Sequence, residues 1–212
     1  MALTVSEPQG SNFTPCPAGT YPARMVQLLD LGTQISDFQG ETKAAHKLLL
    51  TFEICDPETS RDDGKPFTIS KRFTASLHEK AGLRKTLESW RGRPFSPDEL
   101  RGFNLENILG KPCLLSVVQE TKGERTYSNI SAIMGMPKGM TCPDPSATPA
   151  SFDLSAPNWE IFDGLREQLQ EQIASSPEGK AAIAARYGTD APGVTTNPTP
   201  GAFDDLGDDI PF

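Results

Sequence analysis

His46-Lys47-Leu48-Leu49-Leu50-Thr51-Phe52-Glu53-Ile54 reads as a β-strand, because Leu48, Leu50, Phe52 and Ile54 fall on one face and Lys47, Leu49, Thr51 and Glu53 on the other. Upstream, residues 21–31 carry a long strand that ends before Gly32, and the polar, glycine-containing residues 33–45 read as a flexible loop. Downstream, residues 56–66 are a turn cluster of Asp, Ser, Gly and Pro. Residues 67–77 then form a third strand that carries the pair Lys71-Arg72. A helix follows over residues 78–91, with Leu83, Leu87 and Trp90 one above another and Gly92 closing it. Ser96-Pro97-Asp98-Glu99 carries a helix-start signal, and residues 103–109 make a short linker helix at most. Residues 113–121 and 125–133 are two more strands, joined by Lys122-Gly123-Glu124 as a three-residue hairpin loop. Five strands with a helix between the third and fourth is the order of an OB-fold, so the expected class is mainly β, a five-stranded Greek-key barrel.

Charge divides the chain into a body and a tail. Between Asn12 and Met140 there are 17 Lys and Arg against 15 Asp and Glu; from Thr141 onward there are 3 against 12. The formal net charge of -8 therefore describes the tail more than the body. A near-neutral to slightly basic body suits a binder of nucleic acid, with an acidic tail that opposes adventitious binding.

The expected organisation is a flexible arm over residues 1–17, the barrel over 18–140, a Pro, Ser and Thr linker over 141–157, a helical segment over 158–187 and a disordered acidic tail over 188–212. Within the helical segment, residues 158–175 read as one amphipathic helix with Trp159, Phe162, Leu165, Leu169 and Ile173 on one side. That side reads first as docking back onto the barrel and second as a surface for a partner. Ser176-Pro177-Glu178 starts a second short helix that runs to Tyr187.

Cys16, Cys55, Cys113 and Cys142 are scattered, which signals neither a zinc site nor a disulfide framework. Cys16 and Cys142 each precede a proline near the two ends of the barrel region and could meet in space. No apolar run approaches the ~20 residues that span a bilayer, and the N-terminal residues lack the basic and apolar regions of a signal peptide. A soluble, unexported protein is expected.

The segment Asp204-Asp205-Leu206-Gly207-Asp208-Asp209-Ile210-Pro211-Phe212 joins an acidic run to an apolar hook. It resembles the acidic tip of bacterial and phage single-stranded DNA-binding proteins, with Leu206 and Gly207 interrupting the run. The body also resembles a family of tailed-phage replication proteins that bind single-stranded DNA. That resemblance is carried by Gly19-Thr20-Tyr21-Pro22-Ala23-Arg24, Ile69-Ser70-Lys71, the block from Ser76-Leu77-His78-Glu79-Lys80 to Leu87-Glu88-Ser89-Trp90-Arg91-Gly92, and Leu109-Gly110-Lys111-Pro112-Cys113. It covers roughly residues 15–140 and implies an OB-fold, a DNA-binding face and no catalysis. The tip resemblance implies a partner-binding element at Asp208, Asp209, Ile210, Pro211 and Phe212, held by phage or host replication and recombination proteins.

A sequence-tolerant grip on a single strand needs cations for phosphates and flat groups for unstacked bases. The residues that offer these are Tyr21 and Arg24 on the first strand, Lys47 on the second, and Lys71, Arg72 and Phe73 on the third. Around the last hairpin they are Lys122, Arg125, Tyr127 and Asn129. Phe73 equally reads as barrel filling, whereas Phe52 reads first as barrel filling and second as a base platform. Trp90 reads as the barrel's plug, and Tyr21 and Tyr127 as either core or platform. In residues 125–133, placing Ile130 and Ala132 inward leaves Tyr127, Asn129 and Ser131 outward, unless a bulge reverses the order.

No phosphate-cradling loop, HExxH or nucleophile elbow occurs, so neither an enzyme nor a cofactor is expected. The expected activity is coating and protecting single-stranded DNA during phage replication and recombination, in the cytoplasm of a bacterial host. The acidic tail is expected to compete with DNA for the basic face. The alternatives are a decoy that works through its tail and a mediator of strand annealing.

Overall fold

The computed structural model describes residues 14–38, 41–123 and 125–187. It contains strands β1 (Gly19–Phe38), β2 (Glu41–Ile54), β3 (Thr68–Thr74), β4 (Pro112–Lys122), β5 (Arg125–Met134) and β6 (Ala150–Phe152). The helices are α1 (Gly82–Arg91), α2 (Trp159–Asp163), α3 (Glu167–Ser175) and α4 (Pro177–Tyr187). The strands form one sheet in the order β3-β2-β1-β4-β5, antiparallel throughout, with the short β6 added parallel to β1. The molecule is thus mainly β with a few helices. The helix expected between the third and fourth strands is present, but no ladder joins β3 to β5 among the described residues, and the sheet is open rather than closed. At that seam, Lys71 Nζ on β3 donates to the Ile130 carbonyl on β5 at 3.0 Å.

Alternation along the strands makes the principal core. Leu48, Leu50, Phe52 and Ile54 of β2 meet Ala23, Met25 and Leu28 of β1, and Cys113, Leu115 and Val117 of β4 continue the layer. Leu83, Leu87 and Trp90 of α1 close this core from below, and Trp90 Nε1 donates to the Pro112 carbonyl at 2.8 Å. The helix stops at Gly92, whose φ of 67° lies in the left-handed region. The helix-start signal at Ser96 forms only a single tight turn, Glu99–Arg101. Even so, Ser96 N donates to Glu99 Oε2 and Glu99 N to Ser96 Oγ, the reciprocal pattern of a capping box.

Residues 33–38 and 41–45 are not part of the flexible loop the sequence suggests. β1 and β2 continue as a paired ribbon from Gly32 opposite Lys47 out to Phe38 opposite Glu41. Residues 35, 36 and 41–44 of this ribbon are all exposed, so no inward row alternates there; Ile35, for example, is 67% exposed. The inter-strand hydrogen bonds hold it in place of hydrophobic burial.

Residues 141–157 are not a linker either. Arg24 donates to the carbonyls of Gly110, Cys142 and Pro143, and Glu53, almost fully buried, accepts from Ser146 N, Ser146 Oγ and Ala147 N. A carboxylate removed from water needs such donors. These two latches deliver β6 to the edge of β1 beyond its pairing with β4, where Phe152 is buried with Leu29, Leu31 and Leu49 in a second core. Phe162 of α2 and Ile173 of α3 complete that core, so the apolar side of the C-terminal segment does dock back onto the sheet.

The single amphipathic helix expected over residues 158–175 is broken at Gly164-Leu165-Arg166. Gln170 Nε2 donates to the carbonyls of Phe162, Asp163 and Leu165 at the break. The start of α4 is pinned to the sheet by Glu178, which accepts from Thr33 N at 2.9 Å and from Thr33 Oγ1 at 2.6 Å. These bonds, the side-chain one first, hold its carboxyl down at about 2. His46 sits beside it, with Nε2 2.6 Å from Asp30 Oδ1. Gly32 permits the close approach: its φ is +69°, and a Cβ there would strike the Ser176 side chain.

Candidate nucleic-acid interface

The β4-β5 hairpin has two unlike faces, set by its register. Val118 lies opposite Asn129, Glu120 opposite Tyr127 and Lys122 opposite Arg125, so these six side chains share one face. The two intervening pairs, Gln119 with Ser128 and Thr121 with Thr126, point the other way, and Gln119 and Ser128 both donate to the Cys16 carbonyl, at 2.9 and 2.7 Å. The first face remains exposed, with Val118 at 45% and Tyr127 at 41%. Asn129 Nδ2 donates to Glu120 Oε2 at 3.2 Å, and Lys122 Nζ stands 4.0 Å from the other oxygen of the same carboxylate. An exposed ring, an apolar neighbour, an amide and two cations at the hairpin tip can meet one base face and adjoining phosphates.

Tyr127, Asn129 and Ser131 do face outward, but Ala132 does not take the inward place expected of it. A bulge between Ser116 and Val117 leaves Ser131 without a cross-strand partner, and Ile133 follows Ile130 into the core. Ser131 Oγ donates to the Ser116 carbonyl at 3.1 Å.

The other sequence candidates are dispersed. Tyr21 is 9% exposed, within the principal core, and its hydroxyl donates to the Pro17 carbonyl at 3.0 Å. Burial, with smaller contributions from Cys16 and Asp56, pushes its phenol up. Phe73 is buried in the same core, so neither ring offers a face to a strand. The inward parity of both strand positions explains this: Tyr21 lies opposite Leu115 and Phe73 opposite Leu48.

Arg24 is spent on the strap at residues 142–144, where it also meets Asp144 Oδ1 at 3.2 Å. Lys47 Nζ donates to Thr74 Oγ1 at 2.9 Å. Lys71 lies 5.6 Å from the Phe73 ring at the β3-β5 seam, whereas its neighbour Arg72 projects from the opposite face and donates to Gln172 Oε1 of α3 at 3.1 Å. Lys71 and Arg72 therefore cannot act on one surface together. Of the ten proposed contact residues, the structure gathers Lys122, Arg125, Tyr127 and Asn129.

Val118 belongs to the same patch, and sequence reading passed over it. The signal was available, since Val118 lies one residue beyond the inward Val117 and must point outward. The partner-binding residues Asp208, Asp209, Ile210, Pro211 and Phe212 lie outside the described residues.

Cys16 and Cys142 take different neighbours: Cys142 Sγ donates to the Ala23 carbonyl at 3.6 Å, and its side chain meets Cys55. Burial pushes the Cys55 thiol up to about 12 and the Cys16 thiol to about 11. Among the described residues no group of His, Cys, Asp and Glu is arranged to hold a metal, and no helix is long and apolar enough to cross a membrane. No family model matches the chain, and no curated protein matches it.

Proposed function

We propose that this chain binds single-stranded DNA as a tailed-phage replication protein. It coats and protects exposed strands during replication and recombination in the cytoplasm of the bacterial host, and residues 208–212 recruit replication and recombination proteins. The observation that carries the reading is the outward row of Val118, Tyr127 and Asn129, which ends in Lys122 and Arg125 at the hairpin tip. Supporting it are the near-balanced charge of the body against the acidic tail and the likeness of residues 204–212 to acidic tips of this class.

We read the sheet as an OB-type barrel with a relaxed seam. The strand order, α1 beneath the principal core and the Lys71 bridge from β3 to β5 support that reading. The action is mass action without a catalytic step. A protein that holds the open strand more tightly than the duplex lowers the free energy of the open form, and unwinding follows from the difference in affinity.

The test is a titration of labelled oligothymidine with the full chain, followed by anisotropy at ~50 mM salt and repeated as salt rises. Saturable binding that weakens with salt is expected. Absence of binding at the lowest salt removes the reading and leaves a tail-borne decoy in its place.

A further inference from the structure

Beneath the principal core, the C-terminus of α1 and the segment after it enclose an open cleft of about 410 Å³, the size of a small-ligand site. Arg91 ends α1, Arg93 lies just beyond it, Asn107 belongs to the tight turn Leu105–Ile108, and Lys111 precedes β4. Glu99 is the one carboxylate among the lining residues, and it is fully engaged. Arg91 Nη2 and Arg93 Nη2 both donate to its Oε1, and its Oε2 accepts from Arg93 Nη1 at 3.0 Å and from Ser96 N at 2.9 Å. The Arg93 bonds first, and the Ser96 amide after them, hold its carboxyl down at about 2. Three cations therefore face one satisfied anion, and the excess persists across the neutral range.

Arg91 differs from the other two cations. Its side chain is only 12% exposed, and its guanidinium is packed 4.4 Å from the Phe95 ring and 5.0 Å from Phe103. Nη2 is committed to Glu99, whereas Nη1 is buried without an acceptor among the described residues. A buried donor held without an acceptor is costly, so a guanidinium fixed in this way points to an acceptor brought from outside.

The surrounding donors select the kind of acceptor. A planar carboxylate is best met by two parallel N–H groups of one guanidinium, and the outer edge of Arg91 is already taken by Glu99. A tetrahedral oxyanion directs its oxygens apart, which suits donors on separate elements: Arg91 at depth, and the exposed side chains of Arg93, Asn107 and Lys111 around it. A nucleobase is poorly served, because Trp90 is buried with its Nε1 committed to the Pro112 carbonyl and Phe103 is packed by Arg91 and Phe95.

We propose that this cleft binds a phosphate dianion, with Arg91 as its deep donor and Arg93, Lys111 and Asn107 as the outer ones. Phe103, half-buried over the guanidinium, is the ring that must shift to admit it. The same chemistry is offered by a free phosphate compound and by the phosphorylated end of a DNA strand. The cleft is separate from the hairpin face: Lys111 precedes β4 and Lys122 ends it, and eleven residues of strand set the two ~36 Å apart. The assignment therefore does not depend on the proposed function.

The experiment titrates the full chain with inorganic phosphate in place of chloride at constant ionic strength, well above the pH of about 6 at which a phosphate ester gains its second proton. The indole N–H signals of the two tryptophans are followed by NMR. Trp90 lines the cleft and Trp159 packs against the second core, so the Trp90 signal should move saturably while that of Trp159 stays. Arg93→Gln with Lys111→Gln, both on exposed side chains, should weaken binding by about tenfold or more, and an unmoved Trp159 signal shows that the variant is folded. Tetrathymidine with a 5′-phosphate and tetrathymidine with a 5′-hydroxyl are then added as competitors. Competition by the phosphorylated form alone assigns the ligand to a strand end, and competition by neither assigns it to a free phosphate compound; both uphold the site.

A Trp90 signal that does not saturate, Trp90 and Trp159 signals that move together, affinity unchanged in the double variant, or equal competition by the hydroxyl form would each overturn the proposal, the last in favour of a track for internal phosphodiesters. Binding of long oligothymidine is scored separately, so its failure with the Trp90 response intact condemns the proposed function and not this site.

Discussion

Two stretches of the outer surface of one sheet have opposite fates. Over β1 and β2, Leu29, Leu31 and Leu49 are buried beneath β6, α2 and α3. Over β4 and β5, Val118 and Tyr127 stand bare. Both rows come from ordinary strand alternation, so the sheet does not distinguish them. The difference is made by Arg24 and Glu53, which catch the chain after β5 and lead it to β1. A surface covered in this way is stability, and one left uncovered is available for binding.

The largest expected effect is on the covered side. Phe152→Ala removes a fully buried ring that contacts Trp159 and Phe162, and should cost about 3–5 kcal/mol in urea unfolding while leaving oligothymidine affinity within about twofold. Equal losses of stability and affinity would break the separation of the two surfaces. Tyr127→Ala is the mirror test. On the bare side it should weaken oligothymidine binding by about 1–3 kcal/mol without moving the unfolding midpoint.

Acid provides a gentler probe. Because the Glu178 carboxyl lies at about 2 in the folded state, below its ordinary value, its contribution is complete at neutral pH. It is lost as pH falls from about 4.5 through about 2. Protection factors of the α4 amides should fall over that window, and Glu178→Gln should remove most of the dependence by abolishing the titration. An unchanged profile in the variant would assign the loosening elsewhere. The smallest effect is electrostatic. Lys122→Ala and Arg125→Ala should each flatten the salt dependence of log K by roughly 0.7 if each neutralises one phosphate. A slope unchanged in both variants would move the phosphate contacts off the hairpin.

Period-two alternation in residues 46–54 assigned the inward row Leu48, Leu50, Phe52 and Ile54 correctly, because burial on one face leaves a pattern in the chain itself. The stripe of Leu83, Leu87 and Trp90 did the same for α1. The ribbon formed by residues 33–38 and 41–45 left no such pattern, since it is held by backbone bonds and its described side chains bury little. Nor did β6, whose three residues become a strand only because β1 offers an edge there. The bulge at Ser131 moved the inward position from Ala132 to Ile133, a change that depends on the register with β4. Of the candidates, the outward placement of Tyr127 and Asn129 was legible from alternation; the intramolecular partners of Arg24, Lys47, Lys71 and Arg72 were not, because a long cationic side chain looks alike whether it meets solvent or a distant acceptor.

The sequence by itself determined the mainly β character, the strands of the principal core, the helix that closes it, and the division between a balanced body and an acidic tail. Each is written in local spacing or composition, which survive without knowledge of neighbours. Only the tertiary structure decided that the sheet stays open, that residues 141–157 are a latched strap, and that the outer row over β1 and β2 is covered while Val118 and Tyr127 are not. Alternation states which side chains leave a face together; what then covers that face depends on segments a hundred residues away, brought there by hydrogen bonds that leave no periodic trace.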